Sequence, residues 1–340
     1  MKKILVAMSG GVDSTVVAYH LKKEGFPIEG VYMILHDNPT YHQENIRKVK
    51  IVSDFLGIKY HILDLSKNFQ KKIIDYFIDE YKSGLTPNPC VVCNKEIKLG
   101  ELVEFARQKG FDSLATGHYA NIENGFIAEA KDLSKDQSYF LSNVKREILD
   151  FVIFPLGGRL KEDIVNEAKE IDILNQIASQ KESSEICFVE DSYIDILKEK
   201  FDTDIEGKVF KNGEEVGVHK GYTHYTIGKR RGFSVKGALT PNYVLSIDAK
   251  NNSIIVGEKE QLRVDSFIIK DINIFIEKKE FEAEVKIRYR SPKTKCRVQI
   301  QNNIALVQLQ TPTYGLAPGQ TAVFYEKNRV IGCGWIVDKL

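Results

Sequence analysis

No apolar run in the 340 residues approaches the ~18 needed to span a bilayer. The opening MKKILVAMSGG passes into glycine and aspartate too early for a secretory signal. The expectation is a cytoplasmic protein with no membrane partner. Cysteine is scarce: five thiols, unevenly placed at 90, 93, 187, 296 and 333, cannot form the framework of a small secreted domain. An excess of charge of either sign is also missing. With 48 Lys and Arg against 47 Asp and Glu, any nucleic-acid contact must come from local patches and not from the field of the whole chain. No internal repeat or low-complexity segment stands out.

What is present begins at the N-terminus. Residues 4–8 are an apolar run, followed by Ser9, Gly10, Gly11, Val12, Asp13 and Ser14, then a helix-like stretch. A strand feeding a glycine-rich turn that opens a helix gathers backbone N–H groups and the positive end of a helix dipole on one anion. No Lys-Ser/Thr pair follows Gly11, so this is not a Walker A loop, and the adjacent glycines fail the dinucleotide fingerprint. SGGVDS after a strand resembles the PP-loop of ATP pyrophosphatases, which bind the pyrophosphate end of ATP. Ser9, Asp13, Ser14 and Thr15 then become candidate groups for phosphate oxygens and Mg²⁺.

The first half alternates strand and helix patterns, as in an α/β parallel sheet covered by helices. Strands are expected at residues 4–8, 28–35, 60–65 and 113–116. Phe69, Ile73, Tyr76 and Phe77, and again Leu99, Leu102, Val103 and Ala106, each mark one buried helical face. After about residue 200 short alternating strands take over. Asn212-Gly213 between two such runs predicts a hairpin, and residues 284–290, 305–310, 322–325 and 330–337 predict strands of a small β-barrel. The expected domains are 1–200, an ATP-binding catalytic domain; 201–263, β-rich; and 264–340, the barrel.

A second constellation is Thr86-Pro87-Asn88-Pro89-Cys90-Val91-Val92-Cys93. Two prolines fix an extended loop and present Cys-x-x-Cys where the next helix begins, and a thiol there has its thiolate stabilised by the helix dipole. Alone, the pair is open between redox, zinc and iron–sulfur chemistry. Cys187, within residues 181–189, reads by itself as a small buried residue of a strand. Cys296 and Cys333 sit in alternating patterns and read as structural. His224 to Gly232 joins Lys229, Arg230 and Arg231 to aromatics and glycine, a combination suited to phosphate contact and base stacking. Arg288, Arg290 and Arg297 are placed on one face of neighbouring strands.

SGGVDS, TPNPCVVCNKEIK, ATGHYA, KDQSYFL, FPLG, ESSEICFV, HYTIGKRRG, KIRYRS and APGQTAVFY occur in this order. In this the chain resembles, over nearly its whole length, the bacterial tRNA-specific 2-thiouridylase (MnmA) family. The resemblance implies an adenine nucleotide alpha hydrolase-like N-terminal fold and a transferase reaction in two stages. ATP adenylates the C2 oxygen of a tRNA wobble uridine, and a cysteine-borne sulfur displaces AMP to give 2-thiouridine. By position, Cys93 matches the nucleophile and Cys187 the persulfide carrier. Ala7, Met8, Ser9, Gly10, Gly11, Val12, Asp13, Ser14, Met33 and Gly117 match ATP-binding positions, with Asp13 among the catalytic groups. Asn88, Pro89 and Cys90 match the segment that meets the base, and His118, Lys135, Asp136, Gln137, Arg288, Tyr289 and Gln320 match tRNA contacts. His118 also reads as a polar residue satisfied at a strand end. The implied partners are tRNA, by resemblance those for Lys, Glu and Gln, and a sulfur donor protein or relay.

The sequence departs from the family's commonest form at Cys90, where Asp is usual, and in the short segment 35–39 that replaces an acidic insertion. It departs again in the Ser-Glu before Cys187. Three thiols at Cys90, Cys93 and Cys187 leave open a [4Fe–4S] cluster in place of a persulfide. The competing functional classes are a PP-loop ligase acting on a small molecule and a non-catalytic RNA-binding protein.

Overall fold

The computed structural model describes residues 1–171, 173–175, 186–189, 191–237 and 240–339. Two compact units divide the chain: the described parts of 1–73, 90–183 and 328–331 form one, and those of 74–89, 184–327 and 332–340 the other.

The first unit is built on five parallel strands, β1 (Ile4–Ala7), β2 (Ile28–Ile34), β3 (Tyr60–Asp64), β4 (Ser113–Ala115) and β7 (Val152–Ile153), in the order β3-β2-β1-β4-β7. The four expected strands are present and end one residue earlier than expected. The two-residue β7 is too short to have a period. Ile4, Val6 and Met8 are buried against Val16, Val17 and Leu21 of the first helix, α1 (Val12–Lys23), and against Val49, Val52 and Leu56 of the second, α2 (Pro39–Leu56). Asn38 caps α2 by accepting from the Tyr41 N–H, and Gly57 ends it at φ +60°.

Chain order leaves β1 flanked by β2 on one side and β4 on the other. This is the switch point of an open α/β sheet, where the loops leaving the carboxyl ends of the two central strands diverge and leave room for a ligand. The predicted helical faces are present, but with π-helical turns at Gln70–Ile74 and Asn94–Glu101, which a 3.6-residue period does not reveal. A hairpin of β5 (Asn121–Glu123) and β6 (Phe126–Ala128) adds to this unit.

In the second unit β8 (Gly207–Lys211) and β9 (Glu214–His219) form the Asn212-Gly213 hairpin, with φ +51° and +86° at its two central residues. They share a sheet with β10 (Tyr243–Asp248) and β11 (Ser253–Gly257) in the order β10-β11-β8-β9. A six-stranded barrel follows: β12 (Arg263–Ile274), β13 (Glu280–Lys286), β14 (Thr294–Gln301), β15 (Ile304–Tyr314), β16 (Thr321–Glu326) and β17 (Arg329–Lys339), ordered β12-β15-β14-β13-β16-β17 and closed by β12 on β17. Phe267, Val298, Val307 and Phe324 fill it, none more than 1% exposed.

The expectation that Arg288 and Arg290 lie on a strand is corrected. β13 ends at Lys286, and the Ser291 hydroxyl accepts from the Ile287 and Arg288 N–H groups, curling residues 287–291 into a turn. Arg297 is on β14 but is paired with Glu280.

Candidate nucleotide and sulfur-transfer site

The turn after β1 is closed by its own side chains. Ser14 Oγ donates to Gly11 O (3.1 Å) and accepts from Ser9 N (3.1 Å), and Thr15 Oγ1 donates to Gly11 O (2.9 Å). Gly11 N donates to Ser9 Oγ (3.3 Å). Gly10, at φ +82°, takes the left-handed conformation that glycine alone adopts cheaply, and a Cβ there would meet Asn45 Oδ1 at 3.0 Å. The helix that follows has no side-chain cap at Gly11, so its first N–H groups are aimed outward at the positive end of the dipole. Thr15 is only 1% exposed. Its hydroxyl closes the turn by donating to Gly11 O.

Asp13 stands in the first turn of α1, and its carboxylate is held from two sides. Lys161 Nζ approaches both oxygens at 2.7 and 2.8 Å, and Tyr119 OH donates to Oδ1 at 2.9 Å. Lys161 opens the helix Lys161–Glu170, a position where a cation opposes the dipole. The Asp13 carboxylate offsets that local cost. Tyr119 follows β4, and Gln137 fixes its backbone twice: Tyr119 N donates to Gln137 Oε1 (2.9 Å) and Gln137 N to Tyr119 O (2.7 Å). Gly117 lies close under the turn, where a Cβ would stand 3.2 Å from Ser14 N and 3.3 Å from Asp13 Cβ. Met33, next to the last residue of β2, is half-buried, and Met8 is buried beneath Gly30. The groups Ala7 to Ser14 and Gly117 are thus brought together at the switch point. Lys161 and Tyr119 join them although residue types alone did not single them out; the only local signal was a lysine placed against its own helix dipole.

Cys93 is buried at the end of the short helix Pro89–Cys93, and Cys90 in its first turn is half-buried. Asn94 follows Cys93 immediately. Its Nδ2 donates to Phe140 O (3.1 Å) and its Oδ1 faces His118 Nε2 (3.1 Å), while His118 Nδ1 faces Thr116 Oγ1 (2.7 Å). Because Oδ1 can only accept, His118 carries its proton on Nε2 and accepts the Thr116 hydroxyl at Nδ1. Burial, reinforced by nearby Lys98, pulls its pKa down to about 3. His118 is 8% exposed, so what it touches is Asn94 and Thr116.

Asp136 is likewise inside, at 4% exposure, accepting from Ala130 N, Ser138 N and Ser138 Oγ. Lys135 is half-buried beside it. In the second unit Arg288 donates to Gly315 O (2.5 Å) and Ile227 O (3.2 Å), with Tyr289 half-buried next to it. Gln320 Nε2 donates to Thr86 O and Pro87 O, both at 3.0 Å. Asn88 and Pro89 are buried. Lys229, Arg230 and Arg231 are exposed.

Cys187 is exposed in a turn, not buried in a strand; residues 181–185 of its segment lie outside the described residues. Cys296 and Cys333 are buried in the barrel, and burial pushes the Cys296 thiol up to about 12. Among the described residues no group of three or more His, Cys, Asp or Glu is arranged to hold a metal ion, and no helix is long and apolar enough to cross a membrane.

Three family models match the chain end to end: a tRNA methyl transferase HUP domain over residues 2–191, a tRNA methyl transferase PRC-barrel domain over 194–258 and an aminomethyltransferase beta-barrel domain over 264–336. The tRNA-specific 2-thiouridylase MnmA of Campylobacter lari is 58% identical over 98% of this chain and 99% of its own length. The chain belongs to the tRNA-specific 2-thiouridylase family. Other members so named, from Campylobacter jejuni and a Nitratiruptor species, are 56% and 51% identical over 98% and 99% of this chain, each across 99% of its own length. Family membership accounts for both the nucleotide cradle and the cysteine pair standing in one unit.

Proposed function

We propose that this chain is an ATP-dependent tRNA sulfurtransferase that converts the wobble uridine to 2-thiouridine, AMP and pyrophosphate. One observation supports the reading above the rest: a glycine-rich turn opening a helix at the switch point, with Asp13 oriented by Lys161 and Tyr119, in a unit that also holds two thiols in one helical turn. A methyl transfer, the word in two of the family-model descriptions, has no use for a pyrophosphate cradle.

The chemistry divides between the two groups. A pyrimidine carbonyl oxygen is a poor leaving group, so it is first made a phosphate ester, while the N–H groups at the start of α1 balance the charge on the departing pyrophosphate and Lys161 holds Asp13 in place. The Asp13 carboxylate beside substrate phosphates is a donor set that Mg²⁺ accepts, since that ion binds through one or two carboxylates and keeps several waters. Sulfur then arrives as a nucleophile on a protein thiol. By position in the family, Cys187 carries it as a persulfide whose terminal sulfur displaces AMP from C2; the Cys93 thiolate then attacks the Cys187 sulfur, releasing 2-thiouridine and leaving a Cys93–Cys187 disulfide that an external thiol reduces. The exposure of Cys187 supports loading by a donor protein or relay, and the burial of Cys93 supports a role after the base is in place. For the iron–sulfur alternative on Cys90, Cys93 and Cys187, the described residues hold no group of three or more His, Cys, Asp or Glu arranged as ligands.

The test supplies the purified chain with ATP, a tRNA transcript and a low-molecular-weight persulfide in iron-free buffer. Thiouridine should form with one pyrophosphate released per tRNA modified. Thiolation that requires iron overturns the persulfide route, and pyrophosphate release that ignores tRNA overturns the sulfurtransferase reading.

A further inference from the structure

Gln320 belongs to the segment Ala317 to Gln320 that enters β16, and its backbone is fixed by the barrel: Gln320 N donates to Ala317 O (3.2 Å) and Gln320 O accepts from Ile336 N (2.8 Å). From that fixed base its amide nitrogen reaches Thr86 O and Pro87 O at 3.0 Å each. An amide NH₂ has two hydrogens, and both are spent on these carbonyls. The same short segment supplies a third bond, Thr86 N to Pro318 O at 2.8 Å. Gly319 closes the contact at φ +87°, where a Cβ would stand 3.0 Å from Thr86 O, 3.1 Å from Glu80 Oε2 and 3.1 Å from Leu85 Cβ.

Residues 86–88 cannot hold their own shape. Pro87 and Pro89 remove two N–H donors, so the loop has few bonds to give itself, and the carbonyls of 86 and 87 must find partners elsewhere. They find both on Gln320. We propose that Gln320 is a positioning residue, a clamp on the loop that leads into the two cysteines. It sets where Asn88 and the start of the helix Pro89–Cys93 stand before any substrate arrives. Its kinetic consequence rests on the sulfurtransferase reading; the clamp itself does not.

Gln320→Met keeps the length of the side chain and deletes both donors, and Gly319→Ala inserts a methyl against Thr86 O without touching the amide. With neither ATP nor tRNA present, alkylation of Cys90 by iodoacetamide should run about tenfold faster than in the wild type in both variants, two hydrogen bonds or a clash having been put into the loop. Alkylation of Cys296, buried in the barrel, should remain at the wild-type rate. With substrates, kcat for thiolation should fall about tenfold while the dissociation constant for tRNA stays within about twofold. Cys90 alkylation at the wild-type rate together with tRNA binding about tenfold weaker would overturn the clamp in favour of an RNA contact. Cys90 and Cys296 accelerating in parallel would overturn it as well, since the barrel would then have loosened as a whole. Should neither variant fold, hydrogen exchange on the wild-type chain decides: the Thr86 amide must be protected well beyond an exposed loop, and fast exchange there ends the proposal. A wild-type chain that fails to thiolate tRNA would refute the proposed function and leave the alkylation and exchange results to judge the clamp.

Discussion

Two loops carry the proposed chemistry, and they are held in opposite ways. Residues 9–14 are closed by hydroxyls of Ser9, Ser14 and Thr15 bonding within six positions of the chain. Residues 86–88 are closed by Pro318 and Gln320, more than two hundred positions away. A self-closed turn costs little ordering entropy beyond its own residues, and it can be recognised as a motif because everything that shapes it is written in one place. A loop stripped of donors by two prolines depends on whatever the rest of the fold delivers, so its motif describes its contents but not its support. The Asp13 carboxylate is intermediate: it belongs to the local turn, while its orientation depends on Lys161, 148 positions on.

That contrast is broken most forcefully at Asp13. If the turn is self-closed, deleting this carboxylate removes chemistry and leaves architecture. Asp13→Ala should lower tRNA-dependent pyrophosphate release by at least about a hundredfold, with tRNA affinity near wild type and the thermal midpoint lowered, since Lys161 loses its partner. A variant that releases pyrophosphate normally would dismiss the cradle. Lys161→Met tests the distant half of the same site and should cost less, about tenfold in the same assay, because Tyr119 still donates to Asp13. Equal losses in the two variants would mean that the lysine acts on the reacting phosphates and not only through Asp13.

How far the sequence could be read follows the same division. Ser9 to Ser14, the strands around β1 and the Asn212-Gly213 hairpin were legible because period and turn chemistry are local. His118, Asp136, Gln137, Arg288 and Gln320 match RNA contacts as polar residues in recognisable motifs, and the structure adds what the motifs do not show: each also bonds within the fold, to Asn94, Ala130, Tyr119, Ile227 or Thr86. A sequence displays a polar side chain without displaying its partner, and an exposed donor and a buried one are spelled alike. Lys161 and Tyr119 were missed for the converse reason, since only the sheet order that sets β4 beside β1 brings them to Asp13.

His118 offers a pH-dependent check on this account. Folded, it stays neutral down to about pH 3, whereas an unfolded chain takes up a proton near the ordinary value of 6.5. Between those limits the unfolded state binds more protons, so stability falls as pH falls, by up to about 1.4 kcal/mol per unit from this residue, and it is fully present above the upper limit. His118→Asn should flatten the pH dependence of the urea midpoint across that window. An unchanged slope would mean that His118 is solvated and available to RNA after all.

The smallest expected effect belongs to the exposed basic loop. If Gln320, Arg288 and His118 are committed to the fold, the electrostatic grip on tRNA must come from side chains that remain in solvent, and Arg230 and Arg231 are adjacent exposed cations, whereas the neighbouring Lys229 donates to His224 O. A phosphate contact made by one such group releases about one counterion, which appears in the salt dependence of binding and hardly at all in the chemical step. Arg230→Ala should therefore weaken tRNA binding modestly and lower the slope of log affinity against log salt by about one, with kcat at saturating tRNA unchanged. Gln320→Met, by contrast, should leave the slope where it was and take its toll on kcat. The two substitutions thus separate the residues that meet the RNA from those that hold the site in readiness for it. A slope that drops for Gln320→Met and not for Arg230→Ala would reverse the assignment of both.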